Sequence, residues 1–271
     1  MATQRQVAGA VVVITGAAGG LGAAYARGFA RVGARLVLLD RDLAGAEAGA
    51  AAIVAGGGQA WAAACDVSDE GQCRAAVAAV VERHGGIDVL INNAGVSHRS
   101  AFAGTAAAVY RRVMDVNFFG ALYCTQAALP TLRARHGLIV AISSIAGLAP
   151  LYGRSGYSAS KHAVHGLFES LRCELRDDGV EVLIVCPGFT ATGIGAAALD
   201  GDGRPTRHPQ STVGRVADPD DVAAAVVNAV RRRRRLLVLS AAGKASWWLN
   251  RLSPALYAWL MTRSLRDELA R

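Results

Sequence analysis

Tyr157 and Lys161 are the two side chains whose types and spacing most clearly predict chemistry. They stand four residues apart in Y-S-A-S-K, and residues i and i+4 of a helix share one face. An ammonium group beside a phenol favours the phenolate, so the spacing predicts a pKa for Tyr157 below the usual value of about 10. Such a phenol exchanges a proton with an alcohol or carbonyl oxygen at neutral pH. The pair therefore predicts the proton-transfer half of a hydride-transfer reaction.

A glycine-rich loop, T-G-A-A-G-G-L-G at 15–22, follows a short apolar run near the start of the chain. Its glycines allow a tight turn and close approach of the backbone to a pyrophosphate. A helix beginning near Leu21 would direct its first N–H groups at the phosphates. The loop therefore predicts a dinucleotide site formed in part by Gly16, Gly20, Leu21 and Gly22.

Asp40 and Arg41 bear on which dinucleotide is bound. Asp40 ends the next apolar run, where a carboxylate accepts hydrogen bonds from the ribose hydroxyls of NAD. The same charge would repel the 2′-phosphate of NADP, by about 4 kcal/mol per charge at close range and an effective dielectric of about 20. Arg41 favours the opposite choice, because a guanidinium can pair with that phosphate. Since position 19 is glycine rather than a second cation, the sequence favours NAD over NADP.

Apolar runs of strand length alternate with alanine-rich stretches of helical length. The runs are Gly9–Ile14, Arg35–Asp40, Ala60–Asp66, Val89–Asn92, Gly137–Ser143, Val180–Cys186 and Leu236–Ser240. This alternation predicts βαβ units, and right-handed crossovers then give an α/β fold with a doubly wound parallel sheet. The ligand crevice of such a sheet lies at the carboxyl ends of its strands. Residues 190–219 have no clear period and are expected to form a mobile segment or a partly helical lid.

Six short motifs follow one another in a characteristic order and spacing. They are T-G-x-x-x-G-x-G at 15–22, N-N-A-G at 92–95, V-N-F-F-G around Asn117, I-S-S-I-A-G around Ser144, Y-x-x-x-K at 157–161, and P-G at 187–188. Over residues 8 to 240 the chain resembles the short-chain dehydrogenase/reductase family. The resemblance implies a Rossmann fold in a single domain, and it implies a homo-oligomer.

The resemblance also implies a role for each motif residue. Ser144, thirteen residues before Tyr157, would donate a hydrogen bond to the substrate oxygen while Tyr157 gives or takes the proton. Lys161 would bind the nicotinamide ribose, and Asn117 would position a water that links Lys161 to solvent. The remaining cofactor contacts would be Asp66 and Val67 at the adenine, Asn93 beside the central strand, and Pro187, Gly188 and Thr192 around the nicotinamide.

Composition excludes several other classes of protein. No apolar run is long enough to span a membrane, the first eight residues lack a signal-peptide core, and five cysteines form no C-x-x-C. We therefore expect reduced thiols and a cytoplasmic protein. His162 and His165 have no acidic or cysteine ligand nearby, so no metal site is expected. Residues 1–230 are charge-balanced, which excludes a basic core that follows nucleic acid.

The whole net charge of +8 lies in residues 231–271, together with Trp247, Trp248 and Trp259. Trp and Leu at helical spacing, with arginines between them, predict a basic amphipathic extension over 241–271 that follows the dehydrogenase domain at 1–240. Such a helix is typical of peripheral contact with a membrane surface. The alternatives are a subunit contact or a cap over the substrate pocket, with the arginines lying across apolar surface.

The sequence thus predicts an oxidoreductase that moves hydride between NAD or NADP and a small-molecule alcohol, ketone or aldehyde. Apolar side chains near the site favour a lipophilic substrate; they are Leu148, Leu151, Tyr152, Phe189 and Ile194. The alternative is a sensor or scaffold that binds NAD(H) without turnover and reaches the membrane through its last helix. An intact Asn-Ser-Tyr-Lys set argues against that alternative, because a sensor would not need it.

Overall fold

The computed structural model describes residues 4–208, 210–212 and 214–269. Seven parallel strands form one sheet in the order β3-β2-β1-β4-β5-β6-β7. The strands are Val11–Thr15 (β1), Arg35–Asp40 (β2), Gln59–Ala64 (β3), Val89–Asn92 (β4), Leu138–Ile142 (β5), Glu181–Cys186 (β6) and Leu236–Val238 (β7). The predicted doubly wound parallel sheet is confirmed, because the strand order reverses between β1 and β4.

Helices cover both faces of the sheet. They are Gly20–Ala30 (α1), Leu43–Ala55 (α2), Glu70–His84 (α3), Ala107–Met114 (α4), Gly120–Ala134 (α5), Ser155–Glu174 (α6), Pro219–Arg231 (α7), Ala241–Leu252 (α8) and Pro254–Leu265 (α9). One apolar core lies between the sheet and α1, α2 and α7. The other lies between the sheet and α3, α5 and α6. Strands such as β1 and β5 are buried along their whole length, as expected of a parallel sheet covered on both sides.

Residues 187–218 connect β6 to α7 across the carboxyl edge of the sheet. Of the two forms expected for residues 190–219, the partly helical one is not found: the described part of the connection, 187–208, 210–212 and 214–218, contains turns and isolated bridges but no helix. Mobility of the segment stays a prediction. The bridges pair His98 with Leu199 and Thr190 with Ala217. Glycine, proline and short polar side chains favour turns over helix, so the loop is held by its neighbours rather than by its own ladder.

The basic residues in the described part of the tail, 231–269, do not form one surface. Arg231–Arg235 end α7 and precede β7, so they lie at the amino end of the sheet, where the backbone oxygen of Arg235 accepts from Ile184. Helices α8 and α9, joined at Ser253, lie instead at the carboxyl end and carry Lys244, Arg251 and Arg263. No helix in the described part of the chain is both long and apolar enough to cross a bilayer.

Candidate active site

One large cavity, of about 1350 Å³, opens at the carboxyl ends of the strands. Nearly all of the sequence-predicted site residues line it: Gly16, Gly20, Leu21, Asp40, Arg41, Asp66, Val67, Asn93, Ser144, Tyr157, Lys161, Pro187, Gly188 and Thr192. Gly22 and Asn117 lie behind its wall. Residues far apart in sequence therefore meet in one cleft because parallel strands end at the same edge.

The glycine loop forms the floor of the cleft beneath Ala94. Gly16 has φ of +64°, and a Cβ there would come within 2.8 Å of the Cα of Ala94. A larger residue at this position would therefore push away the backbone that follows β4. A Cβ on Gly22 would collide with the carbonyl oxygen of Gly16 and come within 2.8 Å of Nδ2 of Asn93. The loop is thus folded tightly on itself while its outer edge stays open to the cavity.

Asn93 fastens the end of β4 to this loop. Its Nδ2 donates to the carbonyl oxygens of Thr15, at 2.9 Å, and Gly16, at 3.0 Å. The Oγ1 of Thr15 in turn accepts from the backbone N–H of Asn93, at 3.0 Å, and of Ala94, at 3.1 Å. The side chain therefore holds the central strand against the glycine loop, the place that the resemblance assigned to it.

The Asp40 carboxylate lies at the end of β2 and faces the glycine loop. Its Oδ2 accepts from the backbone N–H of Ala18 at 2.8 Å, and its Oδ1 accepts from that of Asp42 at 3.0 Å. Asp40 is half-buried while the neighbouring Arg41 is exposed, and both line the cavity. A hydrogen-bonded carboxylate and an exposed cation therefore border the same end of the cleft.

Asp66 and Val67 lie along the cavity wall beyond β3. The carboxylate of Asp66 accepts from Ser68 Oγ at 2.7 Å and from Ser68 N–H at 3.0 Å. These bonds, from the side chain and then the backbone of Ser68, lower the pKa of Asp66. Val67 is buried against Gly120, where a Cβ would meet the valine Cγ2 at 2.7 Å. A polar edge and an apolar face thus lie next to each other.

Ser144, rather than Ser143, faces Tyr157. Ser143 is buried, and its hydroxyl donates to the carbonyl oxygen of Lys161 at 3.3 Å. Ser144 is half-buried, caps the short turn Ile145–Gly147 and accepts from Ala146 N–H at 3.1 Å. Its hydroxyl lies on the side of the Tyr157 phenol and acts to lower the pKa of that phenol. Ser144 is therefore the serine of this pair that lines the cavity beside Tyr157, and its donation to a substrate oxygen stays a prediction.

Tyr157 and Lys161 share one face of α6, as the spacing predicts. The Lys161 Nζ lies 5.7 Å from the centroid of the Tyr157 ring and donates to the carbonyl oxygen of Ile142 at 2.9 Å. Burial lowers the pKa of Lys161 to about 8. The ammonium is therefore held at the end of β5, between the strand and the phenol.

The predicted lowering of the Tyr157 pKa is wrong in direction. Burial raises the pKa of Tyr157, and this outweighs the opposing effects of the hydrogen bond with Ser144 and the charge of Arg154. The sequence showed the neighbouring cation but not the desolvation of the half-buried ring at the cavity wall. At neutral pH the phenol is therefore a proton donor.

Asn117 lies in a π-helical turn, Asp115–Phe119, between α4 and α5. Its Oδ1 accepts from Val96 N–H at 2.8 Å, and its Nδ2 donates to Val96 O at 3.0 Å and to Ser160 Oγ at 2.9 Å. Both amide donors are thus engaged in clamping the loop after β4 to α6. The water-positioning role stays a prediction, and the side chain described here is a clamp. Turns of this kind often occur at functional sites.

Pro187, Gly188 and Thr192 form the wall opposite the glycine loop. The carbonyl oxygen of Pro187 accepts from Ile145 N–H at 3.2 Å, which ties this wall to the turn that Ser144 caps. A Cβ on Gly20 would find Thr192 as its nearest neighbour, at 3.5 Å. The glycine loop and Thr192 therefore flank one narrow part of the cleft.

His162 and His165 do not share a ligand position. The Nδ1 of His162 bonds the carbonyl oxygen of Ser158 at 2.8 Å, whereas the Nε2 of His165 lies 3.5 Å from Sγ of Cys186. In the described part of the chain, no three His, Cys, Asp or Glu side chains are grouped to hold a metal ion.

The residues of the cleft fit a nicotinamide dinucleotide. The glycine loop leaves open space at Gly19, where an added Cβ would meet nothing within 4 Å, and the first turn of α1 faces that space. Asp40 and Asp66 border the part of the cavity where the adenosine would lie, and Ser144, Tyr157 and Lys161 border the part where the nicotinamide would lie. When bound, such a cofactor supplies or accepts the hydride.

A buried ion pair near the site escaped the sequence analysis. Arg154, three residues before Tyr157, is 5% exposed, and Glu268 is 1% exposed. Their Nη2 and Oε2 atoms lie 2.8 Å apart. The one available signal was that Glu268 is one of only two acidic residues after position 230; no local pattern connects it to Arg154.

The fold and the cleft together define a dinucleotide-binding α/β protein with a proton-transfer group beside the cofactor site. Comparison with known proteins gives the same result: the family model for short chain dehydrogenase matches residues 10–202. This chain belongs to the short-chain dehydrogenase/reductase family.

Three relatives illustrate the similarity. The "Dehydrogenase/reductase SDR family protein 7-like" of Anopheles gambiae is 36% identical, over 96% of this chain and 84% of that protein. A short-chain dehydrogenase/reductase from Burkholderia phymatum, solved with NAD, has a TM-score of 0.83 and 29% identity, over 93% of this chain and 96% of that one. An alcohol dehydrogenase from Thermococcus sibiricus, complexed with 5-hydroxy-NADP, has a TM-score of 0.75 and 26% identity, over 85% and 95%.

Proposed function

We propose that this protein interconverts an alcohol and a ketone or aldehyde, with NAD favoured over NADP as its cofactor. The observation that carries the proposal is the position of Ser144, Tyr157 and Lys161 in the cavity that also contains the glycine loop and Asp40. Proton transfer and dinucleotide binding are thereby brought to one cleft. The NAD-bound and NADP-type-bound relatives support a nicotinamide cofactor.

In the reductive direction, Ser144 and Tyr157 both donate hydrogen bonds to the carbonyl oxygen of the substrate. As the carbonyl carbon gains hydride, the oxygen gains negative charge and takes the phenolic proton of Tyr157. Lys161, fixed at the end of β5, stabilises the resulting phenolate. Oxidation is the reverse, with the Tyr157 phenolate removing the alcohol proton.

The substrate that fits the cavity is lipophilic. Of the five apolar residues predicted near the site, Leu151, Phe189 and Ile194 line the cavity, whereas Leu148 and Tyr152 do not. The C-terminal helices add further apolar lining: Leu249, Leu252, Tyr257, Leu260, Met261 and Leu265. Burying apolar surface stabilises a bound substrate by about 25 cal/mol per Å², so we expect the affinity to increase with chain length.

A panel of primary and secondary alcohols of increasing chain length, assayed with NAD by the absorbance of the reduced cofactor, tests this proposal. We expect turnover with a secondary or long-chain alcohol and a KM that decreases as the chain lengthens. Tyr157→Phe is the control for turnover by a contaminating enzyme. If NADH binds but no alcohol, ketone or aldehyde in the panel is converted, the proposal fails and the alternative of a non-catalytic NAD(H) sensor is favoured.

We further propose that the C-terminal helices rest on an anionic lipid surface. Five large apolar side chains there are exposed, and together they form the C-terminal apolar face: Trp248, Leu252, Leu256, Trp259 and Leu260. Arg251 and Arg263 stack over Trp247 and Trp259, at 5.0 and 5.6 Å from the ring centroids. A basic side chain near anionic lipid contributes about 1 kcal/mol.

Two residues of this face, Leu252 and Leu260, also line the cavity. The mouth of the cavity therefore adjoins the surface that would meet lipid, which suits a lipophilic substrate. Arg231–Arg235, at the opposite end of the sheet, cannot take part in the same contact.

Co-sedimentation with phosphatidylserine-containing vesicles at low and high salt tests this contact. Trp248→Gln and Trp259→Gln together should abolish sedimentation, whereas Phe102→Gln, which replaces an aromatic residue 77% exposed elsewhere, should not. Binding should weaken with salt, because exposed charges are screened within about 10 Å at 0.1 M. If the protein does not sediment and the paired variant changes its oligomeric state in gel filtration, the face is a contact between copies of the chain.

A further inference from the structure

The C-terminal helices are anchored along one short stretch of chain that leads into the catalytic helix. This connecting segment, residues 148–154, runs from the turn capped by Ser144 to the start of α6. The hydroxyl of Tyr257 donates a hydrogen bond to Pro150 O at 2.8 Å, and Asn250 Nδ2 donates one to Leu148 O at 3.5 Å. Residues 250–268 therefore hold a segment that lies between the turn capped by Ser144 and the first turn of α6, which carries Tyr157.

The strongest of these anchors is the pair between Arg154 and Glu268. Glu268 Oε1 also accepts from Arg154 Nη2 at 3.1 Å, and Arg154 Nη1 donates to Tyr152 O at 3.2 Å. The backbone N–H of Ser211 donates to the same Glu268 carboxylate. One buried carboxylate thus joins the connecting segment, the loop 187–218 and the end of the chain.

Close packing accompanies the ion pair. Gly153 has φ of +67°, and a Cβ there would come within 2.8 Å of Leu269 Cδ1. Residue 153 is therefore pressed against the residue that follows Glu268. The carbonyl oxygen of Arg154 accepts from Ser158 N–H at 2.8 Å in the first turn of α6. A displacement of Arg154 is for that reason transmitted directly to the turn that carries Tyr157.

Among the described residues, few charged or titratable groups face the Tyr157 phenol or the Glu268 carboxylate. Tyr157 is faced by Lys161 from its own helix and by Arg154 from the end of the connecting segment. It is also faced by the thiol of Cys186 at the end of β6 and by His98, whose Nδ1 accepts from Tyr157 N–H at 3.3 Å. Burial lowers the pKa of His98 to about 4, so it is neutral at physiological pH.

Glu268 is faced by two guanidinium groups, those of Arg154 and Arg99. Asp200 lies near Arg99 as well. Because Arg154 is the cation shared by the phenol and the carboxylate, the charge that Tyr157 experiences depends on whether Glu268 balances it.

We propose that Glu268 is a positioning residue for catalysis: it anchors Arg154 and thereby fixes both the connecting segment and the charge beside Tyr157. This inference rests on the proposed function, since it concerns the same proton-transfer site. Removing the carboxylate leaves the Arg154 charge unbalanced, and that charge stabilises the Tyr157 phenolate. Loss of the Glu268 carboxylate should therefore lower the apparent pKa that governs the pH–rate profile.

Glu268→Gln tests the proposal, with Asp267→Asn as the matched control. Asp267 is the adjacent carboxylate; it is exposed and forms an ion pair with its neighbour Arg266 at 3.7 Å. Its replacement should leave kcat/KM and the pH profile unchanged. For Glu268→Gln we expect kcat to fall about tenfold or more while the Kd for NADH stays within about twofold. The apparent pKa should fall by about one unit, the effect of one charge about 10 Å away at an effective dielectric of about 20.

A double variant separates charge from anchoring. Arg154→Met with Glu268→Leu removes both charges together, so its apparent pKa should stay near that of the unmodified enzyme while kcat remains low. The double variant also serves as the test if Glu268→Gln does not fold, because apolar side chains can often take the place of a buried ion pair without loss of stability. Full kcat in the double variant overturns the proposal.

The outcomes also distinguish this proposal from the proposed function. If the unmodified enzyme turns over and Glu268→Gln matches it in kcat and pH profile, the positioning role is wrong and the proposed function stands. If Glu268→Gln loses kcat with an unshifted profile, the residue is only structural and the proposal is wrong. If the unmodified protein converts no substrate of the panel, the proposed function itself has failed.

Discussion

The choice between NAD and NADP gives the sharpest test of the cleft, and Asp40→Asn is the substitution that isolates it. The Asp40 carboxylate has two tasks: it carries a charge at the ribose end of the site, and its oxygens accept from Ala18 and Asp42 N–H groups at 2.8 and 3.0 Å. Asparagine removes the charge and keeps one acceptor oxygen. Asp40→Ala removes both, so the comparison of the two variants separates repulsion of a phosphate from support of the glycine loop.

The expected effect follows from Coulomb's law with screening. Two unit charges about 5 Å apart interact by about 3 kcal/mol at an effective dielectric of about 20. Asp40 is only half-buried and Arg41 is exposed, so solvent reduces this to about 1–2 kcal/mol. At about 1.4 kcal/mol per factor of ten, Asp40→Asn should change the ratio of the two dissociation constants about 5- to 30-fold in favour of NADPH.

Fluorescence titration with NADH and NADPH measures the two dissociation constants without any substrate. Asp42→Asn is the control, because it removes a nearby exposed charge while an asparagine still caps α2. Asp40→Ala should weaken both cofactors, since the glycine loop loses its acceptor. A ratio unchanged within about twofold in Asp40→Asn would refute the electrostatic reasoning. A preference for NADPH in the unmodified protein would show that Arg41 outweighs Asp40.

Three further predictions concern the catalytic helix. Tyr157→Phe should lower kcat by about 10²–10⁴-fold and leave the NADH dissociation constant within about twofold, because only the proton donor is lost; near-normal turnover would contradict the mechanism. Since burial raises the pKa of Tyr157, the oxidation rate should rise with pH towards about 10 while the reduction rate stays level, and an oxidation rate that falls between about pH 7 and 9 would oppose this. Burial lowers the pKa of Lys161 from 10.5 to about 8, so the unfolded chain binds more protons between these values and stability rises with pH across that window. Lys161→Met should therefore raise the free energy of unfolding by about 1–3 kcal/mol at pH 7, with no gain above about pH 10.5, as measured by urea denaturation at both pH values.

Much of the fold and of the site could be predicted from local patterns. The seven apolar runs are strands, and the carboxyl ends of those strands bring the glycine loop, Asp40, Ser144 and Tyr157 into one cavity. Spacing alone placed Lys161 on the same face of α6 as Tyr157. The division of the chain after residue 240 stays a prediction.

What the sequence did not reveal depends on contacts between distant residues. Desolvation of the Tyr157 ring raises its pKa, and the four-residue spacing from Tyr157 to Lys161 gives no sign of that desolvation. The thiols of Cys65 and Cys73 lie together in the core with that of Cys124, which is 51 positions after Cys73, and the sulfur atoms of Cys73 and Cys124 are 3.5 Å apart. The tail's charges are divided between opposite ends of the sheet because β7 intervenes.

The Arg154–Glu268 pair also bears on the order in which the protein can become competent during synthesis. Its partners are 114 positions apart, and at about 5–20 residues per second the ribosome needs roughly 6–20 seconds to add the residues between them. Within that interval the nascent chain already contains the glycine loop, Asp40 and the catalytic tyrosine, but not the carboxylate that holds the connecting segment. A translation product that stops before residue 250 would therefore retain the glycine loop, Asp40, Ser144, Tyr157 and Lys161, but it would lack Glu268 and most of the apolar lining that α8 and α9 give to the cavity.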